Sequence, residues 1–167
     1  MLSIFKNKTI SKESFINGFF LDPNHHWIEK NPRIKRAFTL LLNELSNEQI
    51  KFFEKHKTFF VECEAHLSCA VGKTKNHHLI LVFPELKVLL QSASFTHGIA
   101  ILAHELGHIY HQHTENKVDT LKAQIEADKF AFDLGFGEEL QEVLLDHVHS
   151  VDCRVRIAKL TSLLLTK

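Results

Sequence analysis

Hydrophobic positions along this 167-residue chain recur at two different periods, and the change of period divides it. Phe15, Ile16, Phe19 and Phe20 predict a short amphipathic helix. DPNHHWIEKNP, residues 22–32, then breaks the pattern with two prolines that disfavour helix around them. Ile34, Phe38, Leu41 and Leu45 return at helical spacing. Ser46 and Gln49 match a capping box that opens a further helix, with Ile50 and Phe53 inward.

The period then falls to two. In VECEAHLSCAV, residues 61–71, the odd positions are Val, Cys, Ala, Leu, Cys and Val, and the even ones Glu, Glu, His, Ser and Ala. That alternation predicts a half-buried strand. GKTKN at 72–76 reads as a turn and HHLILVF at 77–83 as a second strand, so the expectation is an antiparallel hairpin. Pro84 opens a short helix, where its missing N–H costs nothing. The pattern is helical from Ser94 to His113 and again from Lys117 to Leu134, where GFG at 135–137 stops it. A last helix carries Cys153, Ile157, Leu160 and Leu164 on one stripe, with Ser150 as its N-cap. This order predicts an α+β fold dominated by helix, in one domain spanning 1–167. A helical N-terminal part (1–56) leads to the hairpin with two long helices (57–134) and then to C-terminal helices (135–167).

Composition narrows the function classes. Twenty basic residues balance twenty acidic ones, so no net field points to nucleic acid or an anionic membrane as the main partner. No run approaches the roughly 20 apolar residues of a membrane span, and the start is too polar after Phe5 for a signal-peptide core. Cys63, Cys69 and Cys153 form no CxxC pair and are odd in number, which favours a reducing, cytoplasmic setting. Fourteen Phe against one Tyr and one Trp predict a Phe-packed core. The anomaly is thirteen histidines.

Four of them, with one glutamate, fall within AILAHELGHIYHQH, residues 100–113. His104 and His108 are four apart and stack on one face of a helix. Glu105 lies about 100° around from His104. This is the H-E-x-x-H arrangement, in which two imidazoles hold Zn²⁺ and the glutamate reaches the water that the metal activates. A core helix carrying these groups without partners would lose several kcal/mol, about the cost of burying unpaired polar groups. Gly107 would let a neighbouring element pack closely against the metal-bearing turn. His97 and His111 share the stripe and could line the cleft or support the ligands.

AILAHELGHIYHQH is followed by IEADKFAFDLG, which resembles an E-x-x-A-D-x-[FY]-A helix. The tail HVHSVDCRVRIAKL resembles an H-P-x-x-x-x-R-I-x-x-L ending that lacks its proline. With the two strands and short helix before them, these features resemble the gluzincin metallopeptidases over residues 59–134. The likeness is to the family of the HtpX heat-shock endopeptidase and CAAX prenyl protease, and the chain is also similar to ImmA/IrrE-type peptidases. The resemblance implies a zincin-like fold with a small antiparallel sheet beside the HExxH helix. It also implies a third zinc ligand from the second helix, with an aspartate four residues later that orients a histidine of the first.

The chain departs from that pattern at one position. If Asp128 matches the family aspartate, Gln124 stands where the ligand glutamate belongs, and Glu126 is two residues out of register. Helical angles place Val118, Leu121, Ile125, Asp128 and Phe132 on the inward stripe, with Gln124 at its margin. Glu126 falls among Lys122, Lys129 and Asp133 on the solvent side. Asp128 could ligate directly, Gln124 could bind through its amide oxygen, or an irregular helix could turn Glu126 inward. Face and charge favour Asp128, so the expected ligands are His104, His108 and Asp128, with Glu105 as general base. The expected function is a zinc-dependent metalloendopeptidase acting on a peptide or protein laid antiparallel along the hairpin edge. His147, His149 or Arg154 would supply an additional oxyanion donor. The alternative is a non-catalytic zinc-binding regulatory protein on a peptidase scaffold.

Overall fold

Ser11 accepts a hydrogen bond from the Ser14 N–H, and this cap starts the first helix, α1 (Lys12–Leu21). The computed structural model describes residues 11–64, 77–113 and 115–166. After α1 the chain passes through a 3-10 turn (Pro23–His25) and the single-turn α2 (His26–Glu29). Asn31 caps α3 (Pro32–Glu44), with Pro32 at its first position. The expected capping box of Ser46 and Gln49 is present in both directions at the start of α4 (Asn47–Lys55).

Two strands follow, β1 (Thr58–Glu62) and β2 (His78–Val82), and they pair in parallel, Thr58 opposite His78 through Glu62 opposite Val82. The antiparallel hairpin is therefore corrected. Parallel strands require the chain to travel back along the sheet before the second begins, which a five-residue turn cannot do. The paired segments, TFFVE and HLILV, are near-continuous apolar runs of the kind a covered parallel pair uses. Residues 65–71 of the expected alternating strand, and the GKTKN turn, lie outside the described residues.

Pro84 begins α5 (Pro84–Gln91) as expected. The long α6 (Phe95–Tyr110) is central: Ile99, Ala100, Leu102, Ala103, Leu106 and Ile109 are all buried. α7 (Thr120–Asp133) packs along it and ends where Gly135 takes a φ of 92°, the left-handed turn that glycine adopts freely. α8 (Gly137–Leu145) and α9 (Val151–Leu165) complete the chain, with Ser150 capping α9 as expected.

The Phe-rich core is real on one side of α6. Phe19, Phe38 and Phe60 form an edge-and-face cluster, with Phe38 and Phe60 centroids 4.9 Å apart. Buried His25 stacks on Phe19 at 3.9 Å. Cys63 and Cys153 are free thiols, and Cys69 lies outside the described residues. Among the described residues no helix is long and apolar enough to cross a membrane.

Candidate metal centre

Four-residue spacing on α6 brings the His104 and His108 rings to 4.7 Å between centroids, nearly perpendicular, with their Nε2 atoms 3.1 Å apart. His104 is buried and His108 half-buried. Glu105, half-buried on the next position, makes no side-chain hydrogen bond or ion pair with another described residue.

What each ring meets on its other nitrogen decides where its proton sits. Nδ1 of His104 lies 2.8 Å from Oδ1 of Asp128. The contact is short but off the ring N–H direction, so its attraction is more electrostatic than that of an aligned hydrogen bond. A carboxylate favours the proton on Nδ1 and leaves Nε2 a bare lone pair. His108 reaches the same state by a longer route. Glu126 Oε2 lies 2.9 Å from Nε2 of His113, which therefore carries the proton and donates it. With that tautomer His113 offers Nδ1 as an acceptor for the Nδ1–H of His108, 2.9 Å away. The His108 Nε2 is left bare and faces that of His104. Burial, then the neighbouring His104, His113 and Arg156, depress the His108 pKa to about 3, so at neutral pH this ring is a neutral imidazole with a single proton.

α7 supplies the other side. Its buried face is Ala123, Ala127, Asp128, Phe130 and Ala131. Of the expected stripe only Asp128 is fully buried; Val118, Leu121, Ile125 and Phe132 are half-buried, so the closest-packed face is rotated toward the alanines. The reason is the closeness of the helices. A Cβ on Gly107 would lie 2.8 Å from Cα of Ala127 and 2.9 Å from Cβ of Phe130, so α6 and α7 meet on small residues, as Gly107 suggested.

This rotation sorts the three ligand candidates. Gln124 reaches the pair, with its amide Nε2 3.4 Å from Nε2 of His108. Oxygen and nitrogen of an amide exchange places by a half-turn of the side-chain torsion, so the same position suits a carbonyl donor. Asp128 meets His104 at Nδ1, and both its oxygens are held by Arg156, at 2.8 and 2.6 Å. Burial raises the Asp128 pKa, but Arg156 and His104 outweigh it and hold the carboxyl below its usual range. Glu126 sits at the rim on His113, and that hydrogen bond lowers its pKa. Among the described residues no third His, Cys, Asp or Glu converges with the two imidazoles.

Do these residues fit a metal? Two nitrogens bound to one tetrahedral zinc at about 2.0–2.1 Å stand roughly 3.3 Å apart. The observed separations of 3.1 and 3.4 Å around His108 match that spacing. Two lone pairs aimed at each other in a buried place repel, and a shared cation removes the conflict. The donor set fits.

Other sequence candidates lie elsewhere. His97 bonds Glu142 on α8 at 2.7 Å, and His111 stacks on His113. Arg154 binds the carbonyls of Val148 and His149, closing the turn before α9. Sequence reasoning missed Arg156, though the R-I-x-x-L tail contained it, and it missed His113. A cavity of about 240 Å³, lined by Phe19, His25, Phe53, Phe60 and Leu106 among others, opens away from the centre. Leu106 lies roughly opposite His104 and His108 around α6. No family model, no curated protein and no solved structure matches the chain.

Proposed function

We propose that this chain is a zinc-dependent metallopeptidase whose centre is His104, His108 and Gln124, with Glu105 as general base. The observation that carries the reading is the convergence of the His104 and His108 Nε2 atoms, 3.1 Å apart on an HExxH helix. Bound there, zinc would supply Lewis acidity, lowering the pKa of water and polarising a scissile carbonyl. Asp128, clamped by Arg156, holds His104 in its metal-binding tautomer and contributes no net charge beyond that ion pair. Glu105 is adjacent to the pair and unengaged among the described residues; it takes the proton of the attacking water and returns it to the leaving amine.

A substrate strand fits the β2 edge of the sheet better than the β1 edge. Mid-strand Phe60 already donates its N–H to His25 Nε2 at 3.2 Å and accepts Trp27 Nε1–H at 3.0 Å. Main-chain pairing along β2 would hold an extended peptide.

The test is elemental analysis of tag-free protein together with cleavage of a quenched peptide library. The expected outcome is one zinc per chain and cleavage that Glu105→Gln reduces by at least about 100-fold while leaving metal content unchanged. A chain that neither contains nor takes up a transition metal ends the reading. Gln124, in place of a charged ligand, supports a second one, a non-catalytic zinc-binding regulator. Stoichiometric zinc, no cleavage and indifference to Glu105→Gln would select it.

A further inference from the structure

The carboxylate missing at position 124 reappears half a turn later, outside the ligand set. The geometry points to Glu126 and His113 as a positioning pair for the metal centre: Glu126 orients His113, and His113 holds His108 with Nε2 toward the ion. This inference rests on the metal-centre reading above.

The placement begins with how α6 ends. The His113 N–H bonds the His108 carbonyl and the Gln112 N–H bonds the Ile109 carbonyl, each at 3.0 Å. These two bonds define a Schellman cap with Gln112 in the left-handed region, at φ 55°. That cap normally brings together two apolar side chains, the last-but-two helical residue and the second beyond the cap. Here the two are His108 and His113, and their Nδ1 atoms meet at 2.9 Å. His113 is shielded as well, with its side chain only 6% exposed and its ring stacked on His111.

The pair also answers an electrostatic need. Two neutral imidazoles and a neutral amide leave a divalent cation without compensating charge, and the Asp128 charge is matched by Arg156. Glu126 brings a negative charge to this set through His113, which it meets at 2.9 Å. Its charge strengthens His113 as an acceptor, which in turn makes His108 a better donor to the ion through cooperative hydrogen bonding.

The test uses the full chain. In the metal-free protein, long-range ¹H–¹⁵N NMR correlations should show His108 protonated at Nδ1, and His113→Phe should shift that proton toward Nε2. Titration with cobalt(II), followed in its visible bands, should show affinity falling roughly 10- to 100-fold in Glu126→Ala and His113→Phe. Glu126→Asp should restore part of it. Glu126 is at the rim, so the Glu126→Ala thermal midpoint should match wild type. Equal cobalt affinity in all four proteins overturns the proposal. So does a wild-type His108 protonated at Nε2, which would make His113 a cation and the facing pair an ordinary N–H···N bond. If wild-type protein binds no cobalt, the metal reading fails by itself, and the ring tautomers still decide whether this pair holds His108.

Discussion

His25 and His108 lie on different sides of the molecule and carry their proton on the same ring nitrogen. In both, Nδ1–H donates locally, to the Phe19 carbonyl at 2.9 Å in one and to His113 at 2.9 Å in the other. They part at Nε2. His25 meets the Phe60 N–H at 3.2 Å, a donor that completes the ring and pins β1 to the 3-10 turn. His108 faces the Nε2 of His104 at 3.1 Å and the Gln124 amide at 3.4 Å, three donor groups converging on one point. Hydrogen-bond distance does not separate the structural histidine from the proposed ligand in this fold. The group opposite the second nitrogen does.

The comparison breaks most violently at Asp128, where the His104 ring is held. Asp128→Ala would leave the largely buried Arg156 guanidinium unpaired, and removing one partner of such a pair costs about 3–5 kcal/mol. Urea denaturation of the metal-free protein should show that loss, and cobalt affinity should fall with it. A variant of unchanged stability would mean that the pair is solvated and does not support His104.

His25→Phe is the converse experiment. The aromatic stack on Phe19 survives, but the Phe60 N–H and Phe19 carbonyl lose a buried partner, which costs about 2–3 kcal/mol. Metal uptake should be untouched. Loss of cobalt binding here would tie the two sites together and defeat the distinction.

Acid sharpens the contrast further. Burial lowers the His25 pKa below its ordinary 6.5, against the opposing pull of the Phe19 carbonyl and Asp22. The folded state therefore holds fewer protons than the unfolded one below that pH. The stability His25 contributes is complete above pH 6.5 and declines as pH falls toward its folded value. His108, lowered to about 3, has the same sign down to that pH. Stability measured as pH falls below 6.5 should decline less steeply in His25→Phe than in wild type, by at most one proton's worth of slope. A slope identical to wild type would show that the folded His25 titrates normally.

Much of this was legible in local sequence, because caps and breakers act over a few residues. Ser46 with Gln49, Pro84, Ser150 and Gly135 each mark the boundary they enforce. The His104–His108 pair follows from helical spacing alone. What escaped depends on distance or on size. The parallel pairing is set by where the chain returns, and no local pattern encodes that. The α7 face was misjudged because large apolar residues were weighted over Ala123, Ala127 and Ala131, whereas close approach to Gly107 demands small ones. Arg156 is 28 residues from Asp128, joined to it only by the packing of α9 on α7. His113 stands five residues past His108, a spacing that helical periodicity places on another face and that only the reversal at Gln112 brings back.

That reversal supports the smallest prediction. Gln112 adopts φ 55° at a position where glycine is the usual occupant, and a side chain there costs roughly 1–2 kcal/mol relative to a right-handed conformation. Glycine removes that strain but gives the unfolded chain more freedom, which returns part of the gain. Gln112→Gly should therefore stabilise the metal-free protein by about 0.5–1 kcal/mol, seen as a small rise in thermal midpoint. The backbone path is unchanged, so the His113–His108 contact and cobalt affinity should persist. If affinity falls instead, the Gln112 side chain itself constrains the turn that presents His113, and the strain belongs to the site rather than to the helix end. The same substitution thus separates a cap that merely terminates α6 from one that aims an imidazole, which is the difference between the His25 side of the molecule and this one.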